Sequence, residues 1–343
     1  MVLTYKYRLR PTNKQRHALD EILFQMQTVY NDALNERRWY WQRSRQSISY
    51  FDQWKRMKEE RQQYPDEMGL LNATSVQQML RRLDKSYNAF YQGLRGLPRF
   101  KGRNRFKSVE YRHGDGSKLK GDRLYIQHVG EIKIRLHRPI PDQATIKHVV
   151  IKLTGGNWDV ALMMEVPALE PQFNPGPAVG IDVGLKSLLA LSDGTLIDNP
   201  RWLRVSLAKL RVEQRKMARH KRFSRGWYAA KKQVARLHEK IANQRKDFWH
   251  KLTTDLANTY GAIVIEDLPL AFMLRNKNLS LSAHDAALGM FRPMLTYKVE
   301  KTGTLLLAEN PKGTSQECSG CGSVVAKKLS VRIHVCPNCG LVL

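Results

Sequence analysis

The chain has 343 residues, 42% of them apolar, and its 58 Lys and Arg outnumber its 31 Asp and Glu to give a formal net charge of +27. This length suggests about two to three domains, and the abundant aromatic residues exclude a disordered chain. A compact body with such a charge repels itself, so we expect a large polyanion as the partner.

The sequence also argues against membrane and secreted classes. No stretch approaches the roughly 18 uninterrupted apolar residues of a membrane span, and the N-terminus lacks the apolar core of a secretory signal. All four cysteines lie in the last 26 residues, so none can crosslink the rest of the chain. This distribution is typical of a reducing compartment and of a metal site.

The first third of the chain predicts a strand followed by helices. Residues 1–10 alternate between polar and apolar side chains, as a half-buried strand does. Thr12 and Gln15 have the spacing of a capping box, and apolar residues then recur at helical spacing. A second amphipathic helix is predicted over Val76–Leu94, so residues 11–97 are interpreted as a helical unit inserted after the strand.

Residues 98–171 change to the period of strands and include a hairpin turn at 155–157. We predict a small β-barrel that the N-terminal strand completes. The Pro- and Gly-containing stretch 172–177 marks a domain boundary. Beyond it, the pattern predicts three strands, helices over about 204–255, and two further strands in AIVIED and TLLLAE.

The strongest motif is a pair of Cys-x-x-Cys segments separated by fourteen residues, formed by Cys318, Cys321, Cys336 and Cys339. Four thiolates at this spacing favour a closed tetrahedral Zn²⁺ site of structural character, with no open position for a catalytic water. The alternatives are a redox dithiol pair or two disulfides.

Two carboxylates at the ends of apolar strands form a second motif, Asp182 in AVGIDVGLK and Glu266 in AIVIE. A carboxylate on a buried strand is costly unless it binds a cation or a hydrogen-bond donor. On neighbouring strands the two acids would suit divalent metal ions for phosphodiester hydrolysis. From the residues alone we narrowly prefer the simpler alternative, that each acid caps a turn or pairs with a lysine such as Lys186.

The helices after Asp182 are strongly basic and contain interleaved aromatic residues. Phosphate neutralisation by such residues gives strong, salt-sensitive and sequence-independent affinity. A merely solvated helix face would need more acids for ion pairs at helical spacing. The basic residues proposed to bind nucleic acid are Arg211, Arg215, Lys216, Arg222, Lys231 and Lys232.

Taken together, these segments resemble the TnpB family, the transposon-encoded relatives of miniature type V CRISPR effectors. The resemblance rests on YRLRPTNKQ, YNDAL and LPRFKGR in the first part of the chain, and on GIDVGLK, QRKDFWHKLTTDLA, IVIEDL, TSQECSGCG and CPNCG in the second. It covers essentially the whole chain. The order and spacing of the segments are more specific than any one of them.

The resemblance implies an α/β multidomain fold: a β-barrel wedge domain (1–10 and 98–171) with an inserted helical recognition domain (11–97), an RNase H-like RuvC domain (178–313), and a C-terminal zinc ribbon (314–343). Gln77, Arg112 and His113 align loosely with family positions that face the target-adjacent duplex. For Gln77, simple packing of a helix on the barrel is an equal explanation.

The implied activity is RNA-guided DNA cleavage. Family members bind a guide RNA derived from the transposon end, pair it with double-stranded target DNA beside a short flanking motif, and cut with Mg²⁺. Asp182 and Glu266 match the first two catalytic carboxylates of the family, which changes our preference to metal binding for both. We expect a prokaryotic cytoplasmic protein that associates with the nucleoid when bound, and that requires neither a membrane nor a protein oligomer.

The family's third carboxylate lies in an Asp-Arg-Asp-x-Asn-Ala-Ala motif just after the second cysteine pair, whereas this sequence stops at Leu343. Neither Asp267 nor Asp285 is expected to replace it. Without a third ligand, metal binding and cleavage should fall by orders of magnitude. We favour a nuclease seen without its tail over a nuclease-dead RNA-guided repressor, because both Asp182 and Glu266 are present.

A hypothesis from another class is a zinc-ribbon DNA-binding accessory protein that acts without RNA. Such a protein would explain the charge and the cysteines equally well. It would not explain two RNase H-like motifs that bracket a helical insertion.

Overall fold

The alternating segments of the first half close into a seven-stranded barrel in the computed structural model of the protein, as predicted. The structure describes residues 1–102, 105–167, 172–268, 270–310, 316–326 and 333–342. It divides into two compact units, unit 1 (residues 1–168) and unit 2 (residues 169–343). The predicted domain boundaries at 171 and at 313–314 lie outside the described residues.

Unit 1 places its described helices between its first and second strands. Its strands are β1 (Val2–Arg10), β2 (Ser108–His113), β3 (Gly116–Lys120), β4 (Arg123–Ile126), β5 (Gly130–Arg135), β6 (Thr145–Thr154) and β7 (Asn157–Glu165). Its helices are α1 (Asn13–Ser44), α2 (Tyr50–Gln63), α3 (Pro65–Met68) and α4 (Ala73–Tyr91).

The N-terminal strand closes the barrel, whose strand order is β1-β5-β4-β3-β2-β6-β7. β1 pairs antiparallel with both β5 and β7. At the seam with β7, the buried carboxylate of Asp159 forms ion pairs with Lys6 Nζ (2.8 Å) and Arg8 Nε (2.9 Å). Two cations thereby compensate the desolvation of one buried acid, at the last residue pair of this seam, Arg8 opposite Asp159.

The predicted capping box opens α1. Gln15 N donates to Thr12 Oγ1 (3.3 Å), and Thr12 N donates to Gln15 Oε1 (3.0 Å). The second predicted helix corresponds to α4, which ends at Tyr91, three residues short of the expected end at Leu94. It ends there because Gly93 takes a φ of +69°, the left-handed turn that stops many helices.

Helix α2 is an element that the apolar pattern did not predict. Met57 is buried in the core of unit 1 and the half-buried Tyr50 and Trp54 pack against the same core, so the apolar stripe of α2 is only three residues long. A polar network also holds it. Gln53 Oε1 accepts a hydrogen bond from buried Arg37 Nε on α1 (2.6 Å), and Arg37 Nη1 contacts Asp84 on α4 (3.0 Å).

Asn72 attaches α4 to the barrel. Its Oδ1 accepts the Ser75 N–H as the helix N-cap (3.0 Å), while its Nδ2 donates to Asp115 Oδ1 (3.0 Å) and Gln127 Oε1 (2.9 Å). A Cβ on Gly116 would lie 2.6 Å from Asn72 Nδ2, so the close approach requires glycine. One side chain therefore fixes where the start of α4 lies over the barrel.

Unit 2 is a five-stranded mixed sheet with helices. Its strands are β8 (Ala178–Val183), β9 (Ser187–Leu191), β10 (Leu196–Asp198), β11 (Ala262–Glu266) and β12 (Leu305–Glu309), in the order β10-β9-β8-β11-β12. Its helices are α5 (Trp202–Arg219), α6 (Arg225–Thr259), α7 (Ala271–Arg275), α8 (Ser280–Ala286) and α9 (Phe291–Thr302).

The core of unit 2 lies between the sheet and α6 with α9. Trp249 on α6 is fully buried, packs its ring 5.2 Å from that of Phe291, and donates Nε1–H to the Ala286 carbonyl (3.0 Å). Every strand predicted for this half is observed, as are the long helices between β10 and β11. Within the described ranges, no helix combines the length and apolar character needed to cross a membrane.

Candidate functional sites

Asp182 and Glu266 end up next to each other in the sheet. β8 and β11 are neighbouring parallel strands in which Ile181 is opposite Ile265. Asp182 and Glu266 are the next residue on each strand, so they occupy equivalent positions near the carboxyl ends. Because side chains alternate along a strand, both project from the face opposite Ile181 and Ile265. The sheet register thus brings together two acids that are 84 positions apart in the chain.

The expected burial of Asp182 is wrong. Asp182 is exposed and Glu266 is half-buried. The reason is that the strand buries one face only: Val179 and Ile181 point into the core, whereas Ala178 and Asp182 point out. Among the described residues no ion pair joins Asp182 to Lys186, which removes one simple alternative for this acid.

Sequence reasoning missed a third acid in the same row. Glu309 on β12 is directly opposite Glu266 in a parallel pair, and it is exposed. Its only sequence signal is its position at the end of the strand TLLLAE. The three carboxylates do not converge on one point in this structure. Within the described ranges, the four cysteines are the one group of three or more possible metal ligands whose ligand atoms all lie within 4.8 Å of one another.

Asp285 and Asp267 are engaged elsewhere, in line with the expectation that neither replaces a metal ligand. The fully buried carboxylate of Asp285 accepts the backbone N–H groups of Leu203 (2.7 Å) and Arg204 (3.1 Å) and contacts Arg245 Nη2 at 3.3 Å. It therefore caps the start of α5. Asp267 pairs with Arg292.

The four cysteines form a compact cluster. Cys318 Sγ lies 3.6 Å from Cys339 Sγ, and Cys321 Sγ lies 3.6 Å from Cys336 Sγ. All four are free thiols, so the disulfide alternative is wrong. A tetrahedral Zn²⁺ with Zn–S bonds of about 2.3 Å requires sulfur–sulfur distances of about 3.8 Å, close to those observed. The donor set and its spacing fit a zinc ion.

Each cysteine pair sits on the same kind of turn. Gly322 N donates to the Cys318 carbonyl (2.8 Å) and Gly340 N to the Cys336 carbonyl (2.9 Å), with both glycines at left-handed φ values of +70° and +73°. The Ser323 hydroxyl and the Asn338 amide lie 3.3 and 3.5 Å from Cys321 Sγ. Hydrogen bonding, chiefly by Ser323, lowers the pKa of Cys321 to about 5. This favours the thiolate that a metal needs.

The predicted basic residues line an exposed surface of unit 2. Arg211, Arg215 and Lys216 lie on α5, Arg222 lies in the following turn, and Lys231 and Lys232 lie on α6, and all six are exposed. Few acids neutralise this surface: residues 204–251 contain sixteen Lys or Arg but only three acids. Of these acids, Glu213 pairs with Lys216 (2.8 Å) and Asp247 with Lys251 (2.8 Å). The surface suits a phosphate backbone.

Gln77, Arg112 and His113 line one groove of about 710 Å³ in unit 1. Gln77 comes from α4, and the other two come from the end of β2. Leu119 N–H donates to His113 Nε2 (3.2 Å), and burial together with the charge of Lys118 lowers the pKa of His113. An imidazole that accepts at Nε2 is neutral and carries its proton on Nδ1, so it is a donor at that atom.

Other polar groups of this groove were missed by sequence reasoning. They are Thr74, Gln78, Arg81, Thr145, Lys147, His148 and Glu165. The signal for the first three was available, because they recur with Gln77 at i, i+3, i+4 and i+7 on one face of a helix. The four residues of β6 and β7 carried no such signal, since only closure of the barrel brings them next to α4.

Comparisons with family models cover most of the chain. Residues 161–277 match the OrfB family of IS605 elements, described as "Probable transposase", and residues 289–343 match a Cas12f1-like TNB domain. Residues 1–46 match a model described as a helix-turn-helix domain, although in this structure that segment comprises strand β1 and the single long helix α1.

Full-length relatives are found as well. The chain is 33% identical to an inferred RNA-guided DNA endonuclease of Streptomyces pristinaespiralis, over 98% of this chain and 85% of the relative. It is 28% identical to the Escherichia coli K12 protein InsQ, named in the same way, over 93% and 83%. A solved complex of Cas12f1 with single-guide RNA and target DNA shares the fold, with a TM-score of 0.56 and 14% identity over 94% of this chain and 92% of that one. The chain belongs to the TnpB family.

Proposed function

We propose that this protein is an RNA-guided DNA endonuclease of the TnpB type, with Asp182 and Glu266 as ligands of catalytic Mg²⁺. The observation that carries the proposal is the equivalent position of these two acids on neighbouring parallel strands, in a chain whose relatives are named RNA-guided DNA endonucleases. In this proposal the sheet of unit 2 is a RuvC domain and residues 314–343 are a structural zinc ribbon.

The two carboxylates fit Mg²⁺ by their chemistry. Mg²⁺ is a hard cation that commonly takes one or two protein carboxylates and keeps several waters or phosphate oxygens. The exposure of Asp182 and the half-burial of Glu266 leave room for such ligands. When bound, the metal would supply Lewis acidity at a phosphate and lower the pKa of a water. The role of the two side chains is to hold negative charge at the place where the scissile phosphate must lie.

Recognition is divided between the two units. We assign the barrel as the wedge domain and residues 11–97 as the recognition domain, with the groove that contains Gln77, Arg112 and His113 facing the flanking duplex. Amide groups, a guanidinium and a neutral imidazole N–H match the donor and acceptor pattern of base edges. The exposed basic residues of α5 and α6 hold the phosphate backbone of the guide–target heteroduplex, and base pairing reads the target.

The test uses the full chain purified with a guide RNA expressed from the neighbouring noncoding DNA. Cleavage and binding of a matched target are measured in Mg²⁺ for the wild type, for Asp182→Asn, and for Asp198→Asn, which removes the same charge from another exposed acid of the same sheet. We expect Asp182→Asn to lose more than about 100-fold in cleavage, since even outer partners of a metal ligand contribute 10–100-fold. Guided binding should change less than about twofold.

The other outcomes separate the alternatives. Equal loss of binding and cleavage in Asp182→Asn would mean that this acid is structural. A wild-type chain that binds guided targets but does not cut them in Mg²⁺ would act as an RNA-guided binder, as expected of a repressor or of a nuclease that lacks its third carboxylate. Binding to DNA that is indifferent to the guide RNA would identify the accessory protein that acts without RNA.

A further inference from the structure

The turn between α5 and α6 presents an aromatic cluster to solvent. Phe223 is 62% exposed, its ring centroid is 5.6 Å from that of Trp227, and Trp227 is in turn 5.1 Å from Tyr228. We call Phe223, Trp227 and Tyr228 the hairpin cluster. Both ring contacts within it are edge-to-face, which leaves the ring of Phe223 largely uncovered by the other two rings.

The backbone at Phe223 is unfavourable for a bulky residue. Its φ is +70°, in the left-handed region that glycine adopts freely. The chain reverses direction here, one residue before Ser224 caps α6 by accepting the Trp227 N–H (3.2 Å). Glycine would make this reversal at lower steric cost. A phenylalanine in such a conformation, with its side chain outside the core, points to a role for the ring in binding.

Cations surround the rings. Arg222 Cζ lies 5.0 Å from the centroid of Phe223, and Lys231 Nζ lies 4.7 Å from that of Trp227. Within the stretch 211–232 the one acid is Glu213, and it already pairs with Lys216. An apolar partner would have to desolvate these cations, whereas an unpaired nucleotide offers a flat base for the ring and phosphates for the charges.

We propose that Phe223 is a stacking platform for an unpaired base of single-stranded nucleic acid, with Arg222 and Lys231 contacting the adjacent phosphates. The proposal rests on the proposed function only in that the chain binds nucleic acid. It needs neither guide-directed cleavage nor a metal ion. It assigns to the hairpin cluster a role that charge alone does not provide, namely preference for unpaired over paired strands.

The test measures equilibrium binding of fluorescent oligonucleotides of about 15 nucleotides, a length matched to known single-strand sites. Oligo-dT, oligo-U and a blunt DNA duplex are compared across a salt series, with the full chain and without guide RNA. The variants are Phe223→Ala, Phe223→Trp and Phe223→Gly. The matched control is Phe173→Ala, which removes an 81% exposed phenylalanine from the segment that precedes β8.

Loss of one base stack should weaken single-strand binding by Phe223→Ala about fivefold to 150-fold. Binding to the duplex and the salt slope should not change, because the phosphate contacts remain. Phe223→Trp should restore the affinity, and Phe173→Ala should not alter it. Whether dT or U loses more identifies the strand that the platform serves.

Phe223→Gly separates binding from folding. It removes the ring and relaxes the backbone, so the melting temperature should stay the same or rise while single-strand affinity falls as in Phe223→Ala. Unchanged single-strand affinity in Phe223→Ala, or an equal loss on duplex and single strand, would overturn the proposal. The two tests are independent: a chain without guided cleavage could still bind single strands through Phe223, and a chain with guided cleavage could lack this stacking contact.

Discussion

Replacing Asp285 by alanine is expected to release the start of helix α5. The residue that precedes α5, Arg201, offers no capping side chain and has a left-handed φ of 53°. The carboxylate of Asp285 takes over that task by accepting the N–H groups of Leu203 and Arg204. It also neutralises Arg245, whose side chain is only 17% exposed.

The magnitude follows from these contacts. Loss of a helix N-cap costs about 0.5–2 kcal/mol, and removal of one partner from a buried ion pair costs about 3–5 kcal/mol. The two figures share the desolvation of the same groups, so we take the larger one rather than their sum. A local cost of about 3–5 kcal/mol corresponds to a roughly 150-fold to 5,000-fold rise in the opening constant of the first turns of α5.

Amide hydrogen exchange measures this opening directly, since protection reports the local free energy of unfolding. In Asp285→Ala, the protection of amides in the first turns of α5 should fall by this factor, or until these amides exchange as fast as those of an unfolded chain. Helix α1 in unit 1 is the internal control, and its protection should not change. Asp285→Asn keeps the volume and one acceptor oxygen, so its cost should be nearer 1–2 kcal/mol. If protection of α5 changes less than twofold in both variants, Asp285 does not cap this helix.

Two further predictions concern the cysteine cluster and the groove of unit 1. Cys318→Ser should unfold the ribbon and reduce bound zinc, measured by elemental analysis, well below one ion per chain, because zinc binding and folding are coupled. Ser323→Ala should keep its zinc but bind it about 10–100-fold more weakly. Full zinc content in Cys318→Ser would refute the assignment. Burial lowers the pKa of His113 in the folded chain, so on acidification the unfolded chain takes up its proton first. The stability that His113 contributes is therefore complete above the unfolded pKa of about 6.5 and is lost as the pH falls through the folded pKa. His113→Gln should flatten this part of the melting-temperature profile, and an unchanged profile would contradict the reasoning.

Local signals in the sequence were sufficient for most elements of the fold. The capping box at Thr12, the alternation of the barrel strands and the spacing of the four cysteines each depend on residues close together in the chain. The physical preferences involved, for N-caps, for pleated strands and for tetrahedral thiolate ligands, act over a few residues and can be recognised without the tertiary structure. Helix α2 escaped prediction because its apolar stripe is only three residues long (Tyr50, Trp54 and Met57), and polar contacts to Arg37 also hold it.

The sites depended on the tertiary structure. Sequence motifs selected Asp182 and Glu266, but the register of parallel strands made them neighbours, added Glu309 to the row and left Asp182 exposed. Strand register and side-chain exposure arise from pairing between distant segments, which no local pattern specifies. For the same reason Asp285, 82 positions from the helix start that it caps, looked in the sequence like an acid without a role.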